Sequence, residues 1–265
     1  MTIPAEGYPL TAAVSPRVQV ADTTDSTNAD VVRHATAEPD AWPHLSVLLT
    51  TDQRAGRGRL DRSWVAAPGT ALAVSTLVRV PHIAYAARGW IPLIAGAAMT
   101  RAISAQLSGT GHSATLKWPN DVLLDGGKVC GILAEVIPGD PDAIVIGAGV
   151  NTTMTAADLP VTTATSFAAV GLVADEDRLV ADYLAALDEQ LRALAEAVGN
   201  ASAAGIRGEI EALCSTLGRD VVVHLPGGEL LAGRAQRLDE DGRLVVALPL
   251  GNETAVSAGD VVHVR

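Results

Sequence analysis

Residues 114–151 read ATLKWPNDVLLDGGKVCGILAEVIPGDPDAIVIGAGVN, and their pattern decides the fold. Four apolar, β-branched runs, 114–118, 121–124, 129–136 and 143–150, are too short for helices. The second and third are joined by Asp125-Gly126-Gly127, a turn sequence that reverses the chain. Short strands linked by tight turns give a meandering, mainly antiparallel sheet.

Working upstream, 45–51 and 70–80 also read as strands, and they bracket a long polar, Gly-containing loop from Gln53 to Trp64. The segment 86–107 is long and apolar enough for a buried helix. Asp25-Ser26-Thr27-Asn28 is a cluster of cap formers followed by Ala29, Val31, Val32 and Ala35, so a helix is expected to begin there. Downstream, 175–198 is the clearest helix, with Leu179, Tyr183, Leu184, Leu187, Leu191 and Leu194 on one stripe. A further helix over 206–217 ends at Gly218. From Asp220 the texture changes to five short β runs, VVVHL, ELLAG, RLVVAL, TAV and VVHV, separated by turn residues, which predicts a small barrel. The expected class is α+β, with a first domain over 1–215, its core starting near residue 18, and a small β-barrel over 216–265.

The 265 residues are 48% hydrophobic and 18% charged, the composition of a globular protein with at least one full core. Disorder is excluded, and no run approaches the roughly 18 apolar residues of a membrane span. The start, MTIPAEGYPL, lacks the basic flank and apolar run of a secretory signal, so a cytoplasmic protein is expected. Cys130 and Cys214 are too few for a disulfide framework or a zinc site. The net charge of −11 argues against a whole-surface attraction to nucleic acid or anionic lipid, so any polyanion site is local.

The basic residues are unevenly chosen. Only Lys117 and Lys128 are lysines among 19 basic residues, and both lie in KWPNDVLLDGGK. A compact ammonium is expected where a point charge must reach an anion and a planar fork will not serve. Lys117-Trp118-Pro119-Asn120-Asp121 sets such an ammonium beside an amide and a carboxylate, the oxygen donors that a magnesium nucleotide takes. Upstream, Gln53-Arg54-Ala55-Gly56-Arg57-Gly58-Arg59-Leu60-Asp61-Arg62-Ser63-Trp64 carries four arginines and two glycines in twelve residues. It reads as an anion-binding lid or, in isolation, as a solvated basic loop. Gly131, Gly147 and Gly149 sit inside strands, where glycine marks a bulge or the close approach of a ligand. No GxxxxGK[ST] or HExxH motif occurs, and the six histidines have no nucleophile partner pattern. An anion lid, two lysines and a magnesium-capable pair in one α/β unit suit adenylation of a carboxylate.

These motifs, in this order and spacing, resemble those of the biotin protein ligases: Asp25 to Asn28, Gly56-Arg57-Gly58-Arg59 with Arg62 and Trp64, Lys117 to Asp121, Gly127 to Leu133, and Gly147 to Asn151. The resemblance runs from Asp25 to Arg265. It implies a catalytic domain like that of class II aminoacyl-tRNA synthetases, followed by an SH3-like barrel. The implied activity is ATP-dependent ligation of biotin, through biotinoyl-AMP, to a lysine of a biotin carboxyl carrier domain of an acyl-CoA or pyruvate carboxylase. By the same resemblance Ser26, Thr27, Asn28, Gln53, Gly56, Arg57, Gly58, Arg59, Lys128, Gly131, Gly147 and Gly149 bind biotin. Arg59, Arg62, Trp64, Lys117, Asn120 and Asn151 take ATP, Asp121 is the magnesium candidate, and Lys128 and Arg59 are catalytic. The chain departs from the family at Leu60-Asp61, where a small or basic pair is usual.

Two rival readings are weaker. Lipoate and octanoate ligases share a similar fold but lack this lid sequence and the KWPND run. A biotin-sensing repressor carries a DNA-binding domain ahead of the catalytic one, whereas 24 residues precede Asp25 here, fewer than the roughly 50 of a small domain. No DNA or membrane partner is therefore expected, and monomer and weak homodimer both stay open.

Overall fold

The computed structural model describes residues 7–60, 62–249 and 251–264. A seven-stranded sheet forms its centre. In chain order the strands are β1 (Val18–Val20), β2 (Ser46–Thr50), β5 (Ala71–Arg79), β6 (Ala114–Lys117), β7 (Asp121–Leu124), β8 (Gly127–Ile137) and β9 (Asp140–Asn151). The spatial order is β1-β2-β5-β9-β8-β7-β6, and only β1/β2 pair in parallel. Two further strands, β3 (Gly56–Arg57) and β4 (Ser63–Trp64), pair as a separate hairpin. The turn read at Asp125-Gly126-Gly127 is present, with both Asp125 and Gly126 at positive φ.

Helices cover both faces. On one side α3 (Ile91–Gln106) and α4 (Glu176–Glu196) pack on the sheet in the main core, with Trp90, Trp118, Tyr183 and Phe167 fully buried. On the other, α2 (Thr27–Ala37) packs Val31 and Ala35 against Leu48, Leu77 and Val145. Ser26 caps α2 by accepting the Ala29 N–H, and Asp175 caps α4 through the Arg178 N–H. Two helices differ from expectation. Residues 85–90 form a 3-10 turn and α3 starts at Ile91, because Pro92 suits the first α-helical turn. The helix α5 (Ile206–Leu213) stops four residues early, since Cys214 bridges Leu116 and Ser215 donates its N–H to the Leu116 carbonyl (2.8 Å), covering the β6 edge. The short α1 (Pro9–Val14) lies outside any expected element. Asp177 holds it by accepting the Leu10 and Thr11 N–H groups at 2.9 and 2.8 Å.

After α5 come β10 (Asp220–His224), β11 (Leu230–Leu238), β12 (Leu244–Ala247), β13 (Glu253–Val256) and β14 (Asp260–His263), an antiparallel sheet in the order β13-β12-β11-β10-β14. Its apolar face continues the main core, and Trp90 and Trp118 donate their indole N–H groups to Glu240 and Gly242 at 2.8 and 3.2 Å. No helix among the described residues is long and apolar enough to cross a membrane.

Candidate active site

Strand alternation creates the site. On the α2 face of the sheet, β9 presents Val145, Gly147, Gly149 and Asn151, while β5 presents Leu77, Ser75 and Ala73. The bulky ends of these rows, Val145 and Leu77, fill the space beneath α2. Beyond them the side chains shrink to Gly and Ala, and a cavity of about 360 Å³ opens between the sheet, the α2 N-terminus and the β3–β4 hairpin.

One wall is a hydrogen-bonded amide and hydroxyl cluster. Gln53 Oε1 accepts the Thr27 N–H at 2.9 Å and its hydroxyl at 3.0 Å. Ser75, unnoticed in the sequence, lies beneath, with its Oγ 2.7 Å from Thr27 Oγ1 and 2.6 Å from Asn28 Oδ1. Ser26, Thr27, Asn28 and Ser75 are all buried. The glycine at 147 is required by space, since a Cβ there would come 2.4 Å from Asn28 Oδ1.

The long loop is not irregular throughout. Gly56 pairs with Trp64 and Arg57 with Ser63, and the Gly58 N–H meets the Arg62 carbonyl at 2.6 Å, making a short hairpin over the cavity. Its Trp64 ring lies on the floor, where a Cβ on Gly149 would come 2.5 Å from the indole and one on Gly131 3.2 Å. Asp61, half of the Leu60-Asp61 departure, lies outside the described residues.

The opposite end is ionic. Lys128 Nζ lies 2.7 Å from Asp121 Oδ1 and 5.7 Å from the Trp64 ring centroid. Arg59 donates to Asn120 Oδ1 at 3.1 Å, while Asn120 Nδ2 donates to the Ile132 carbonyl at 2.6 Å. Arg62 meets Asp260, at the start of β14, at 2.5 Å. Burial works against the charge on Arg59, and nearby Asp260 and Asp121 only partly offset it; its pKa is lowered. Lys117 is lowered for the same first reason, with Asp121 countering and Lys128 reinforcing. A desolvated cation of this kind gains most from an incoming anion.

Of the residues picked out by sequence, Ser26, Thr27, Asn28, Gln53, Arg57, Gly58, Arg59, Arg62, Trp64, Asn120, Asp121, Lys128, Gly131, Gly147, Gly149 and Asn151 line this one cavity. Gly56 lines an adjoining hollow beside the hairpin, and Lys117, the last residue of β6, does not line the cavity but is electrostatically coupled to Asp121, Lys128, Asp260 and Arg62 at its ionic end. Sequence reading missed Asp260, Ser75 and Glu135, as well as Pro160, Val161 and Ala164 at the rim. The rim segment is fastened where Lys128 donates its N–H to Thr163 and accepts that of Thr165, a pairing without local signal.

The comparisons with known proteins point the same way. A profile described as the biotin/lipoate A/B protein ligase family matches residues 20–151, and one described as the biotin protein ligase C terminal domain matches 216–264. A biotin--[acetyl-CoA-carboxylase] ligase from Mycobacterium tuberculosis is 36% identical over 251 residues, 94% of this chain and 90% of that one. The chain belongs to the biotin protein ligase family. A second such ligase, from Paracoccus denitrificans, is 39% identical over 131 residues, 48% of this chain and 51% of its own length. Among solved structures, the biotin protein ligase from Aquifex aeolicus in complex with biotin and ATP superposes with a TM-score of 0.73. It covers 94% of this chain and 99% of that one at 23% identity, so it shows the shared ligase fold.

Proposed function

We propose that this protein joins biotin to ATP and passes the biotinoyl group to a lysine on the biotin carrier domain of a carboxylase. The observation that carries the reading is the position of Lys128. Its ammonium stands where the small-residue groove meets the arginine hairpin, between a slot for an uncharged ring and a cluster of cations.

Biotin enters ring first. The ureido group meets Ser26, Thr27, Asn28 and Gln53, the apolar body runs along the wall in which Trp64 packs on Gly131 and Gly149 and Asn28 on Gly147, and Arg57 to Arg59 close over it. The carboxylate then lies at Lys128, beside the α-phosphate. A carboxylate oxygen attacks phosphorus, the bond to the β-phosphate oxygen breaks, and pyrophosphate leaves. Arg59, Arg62, Lys117 and Lys128 spread the charge that accumulates on the phosphoryl oxygens; fixed cations in a partly dry site do this without reorganising. Asn120 holds Arg59 in place, Asn151 secures the rim through the Thr165 carbonyl at 2.9 Å, and Trp64 screens the mixed anhydride from water. The acceptor lysine amine then attacks the acyl carbon and AMP departs.

Magnesium fits this arrangement as a nucleotide-borne ion. No group of three ligating side chains occurs among the described residues, and one carboxylate, Asp121, with the substrate's phosphates is an ordinary donor set for it. Bound there, it neutralises phosphate charge. Residues 1–215 make up the catalytic part, and 216–265 buttress it through Asp260. A cytoplasmic setting suits the free Cys130 and Cys214.

ATP/pyrophosphate exchange tests the first half-reaction. Biotin should switch exchange on and lipoate should not; exchange supported equally by lipoate would favour the lipoate ligase reading.

A further inference from the structure

Glu135 has no place in the chemistry above, yet it touches two of its parts. Alternation along β8 sets Gly131, Leu133 and Glu135 on the cavity face, so Glu135 stands at the ring end of the groove, opposite Val145. Its carboxylate accepts the Asn28 amide at 2.7 Å and the Arg57 guanidinium at 3.1 Å. One belongs to the α2 N-terminus and the other to the hairpin.

We propose that Glu135 is a positioning residue that fastens the hairpin to β8 and at the same time sets which end of the Asn28 amide faces which neighbour in the wall that meets the ureido ring. A carboxylate accepts and never donates, so the Asn28 Nδ2 must face Glu135 and its Oδ1 must face Ser75. Ser75 then spends its one proton on Asn28. At the other end of the wall the Thr27 N–H and hydroxyl both donate to Gln53 Oε1, which leaves the Gln53 amide nitrogen as the donor end independently of Glu135. One acceptor-only group thus fixes the orientation of the Asn28 amide and, through it, the proton of Ser75. Because Arg57 shares that group, hairpin closure and the shape of the ring pocket are a single event. This inference rests on the biotin ligase reading and names what orients Asn28 in its ring pocket.

Glu135→Gln tests it, since glutamine keeps the shape but can present a donor where only an acceptor stood. In biotin-dependent ATP/pyrophosphate exchange, the KM for biotin should rise about tenfold, the scale of one charge-assisted hydrogen bond lost. The KM for ATP should stay within about twofold, and trypsin should again cut after Arg57 in the presence of biotin and ATP. Unchanged biotin KM, or equal rises in both KM values, would overturn the proposal. Wild-type protein with no biotin-dependent exchange would instead overturn the ligase reading, and the role of Glu135 with it.

Discussion

The Lys128 ammonium lies 2.7 Å from the Asp121 carboxylate across the β7–β8 hairpin, so the residue expected to meet two anions is already aimed by one. Both partners keep some contact with solvent, and a pair of this kind adds only about 0–1 kcal/mol to stability. Its value lies in orientation.

Lys128→Ala should therefore fold normally and lose about two or more orders of magnitude in pyrophosphate exchange, the usual scale for removing a charged stabiliser of a transition state. Lys128→Arg should not restore it, because the planar fork cannot stand as a point charge between carboxylate and phosphate. Near-normal exchange by the arginine variant would count against the role.

The hairpin over the cavity is held by two residue pairs and by exposed ion pairs such as Arg57 with Glu135 and Arg62 with Asp260, too little for independent stability. Limited trypsin digestion should cut between Arg57 and Arg62 in the free protein, and biotin with ATP should protect these bonds. Equal cleavage in both states would mean that the hairpin does not close over the ligands.

Gly149→Ala and Gly147→Ala should differ. At 149 the added methyl meets the Trp64 ring, which can swing away with its hairpin, so stability should change by less than about 1 kcal/mol while exchange drops sharply. At 147 it meets Asn28, which is hydrogen-bonded to Glu135 and Ser75 and cannot yield, so a stability loss of about 1–3 kcal/mol should accompany weaker biotin binding. Urea denaturation and biotin KM values measured together would distinguish them, and identical behaviour would contradict the geometry.

His263 links the small sheet to the catalytic strand. The Thr216 hydroxyl oxygen receives the Trp118 N–H at 3.1 Å and lies 3.1 Å from His263 Nε2. Burial first, then Lys117 and Arg219, pushes the His263 pKa down to about 4. A histidine lowered on folding is neutral in both states above its unfolded value near 6.5, and its contribution is lost as the pH falls from there toward about 4. His44 is lowered as well, by burial and then by Arg192 and Arg79, and adds to the same slope. Urea midpoints should fall over that window in the wild type and fall less steeply in His263→Gln. Parallel curves would remove His263 as a cause.

What the sequence disclosed was what is local. The cap at Ser26, the apolar strand runs of β5 and β9, and the stripe of α4 are written within a few residues, as are the GRGR and KWPND motifs. What stayed hidden depends on distant pairing. Asp260 reaches Arg62 across 198 positions, and Glu135 reaches Asn28 across 107. The segment 214–217, read as helix up to the stop at Gly218, leaves α5 because the β6 edge offers a backbone acceptor at Leu116. The parallel β1 is too short to show a period.

The most direct measurement is transfer to an acceptor. The purified protein, biotin, magnesium and ATP mixed with a folded biotin carrier domain should add one biotin to that domain, seen as a single mass increment that is absent without ATP and nearly absent with Lys128→Ala. A carrier domain that stays unmodified, while biotin-dependent pyrophosphate exchange proceeds, would contradict the account's choice of acceptor. An unmodified domain with no such exchange would contradict the account itself.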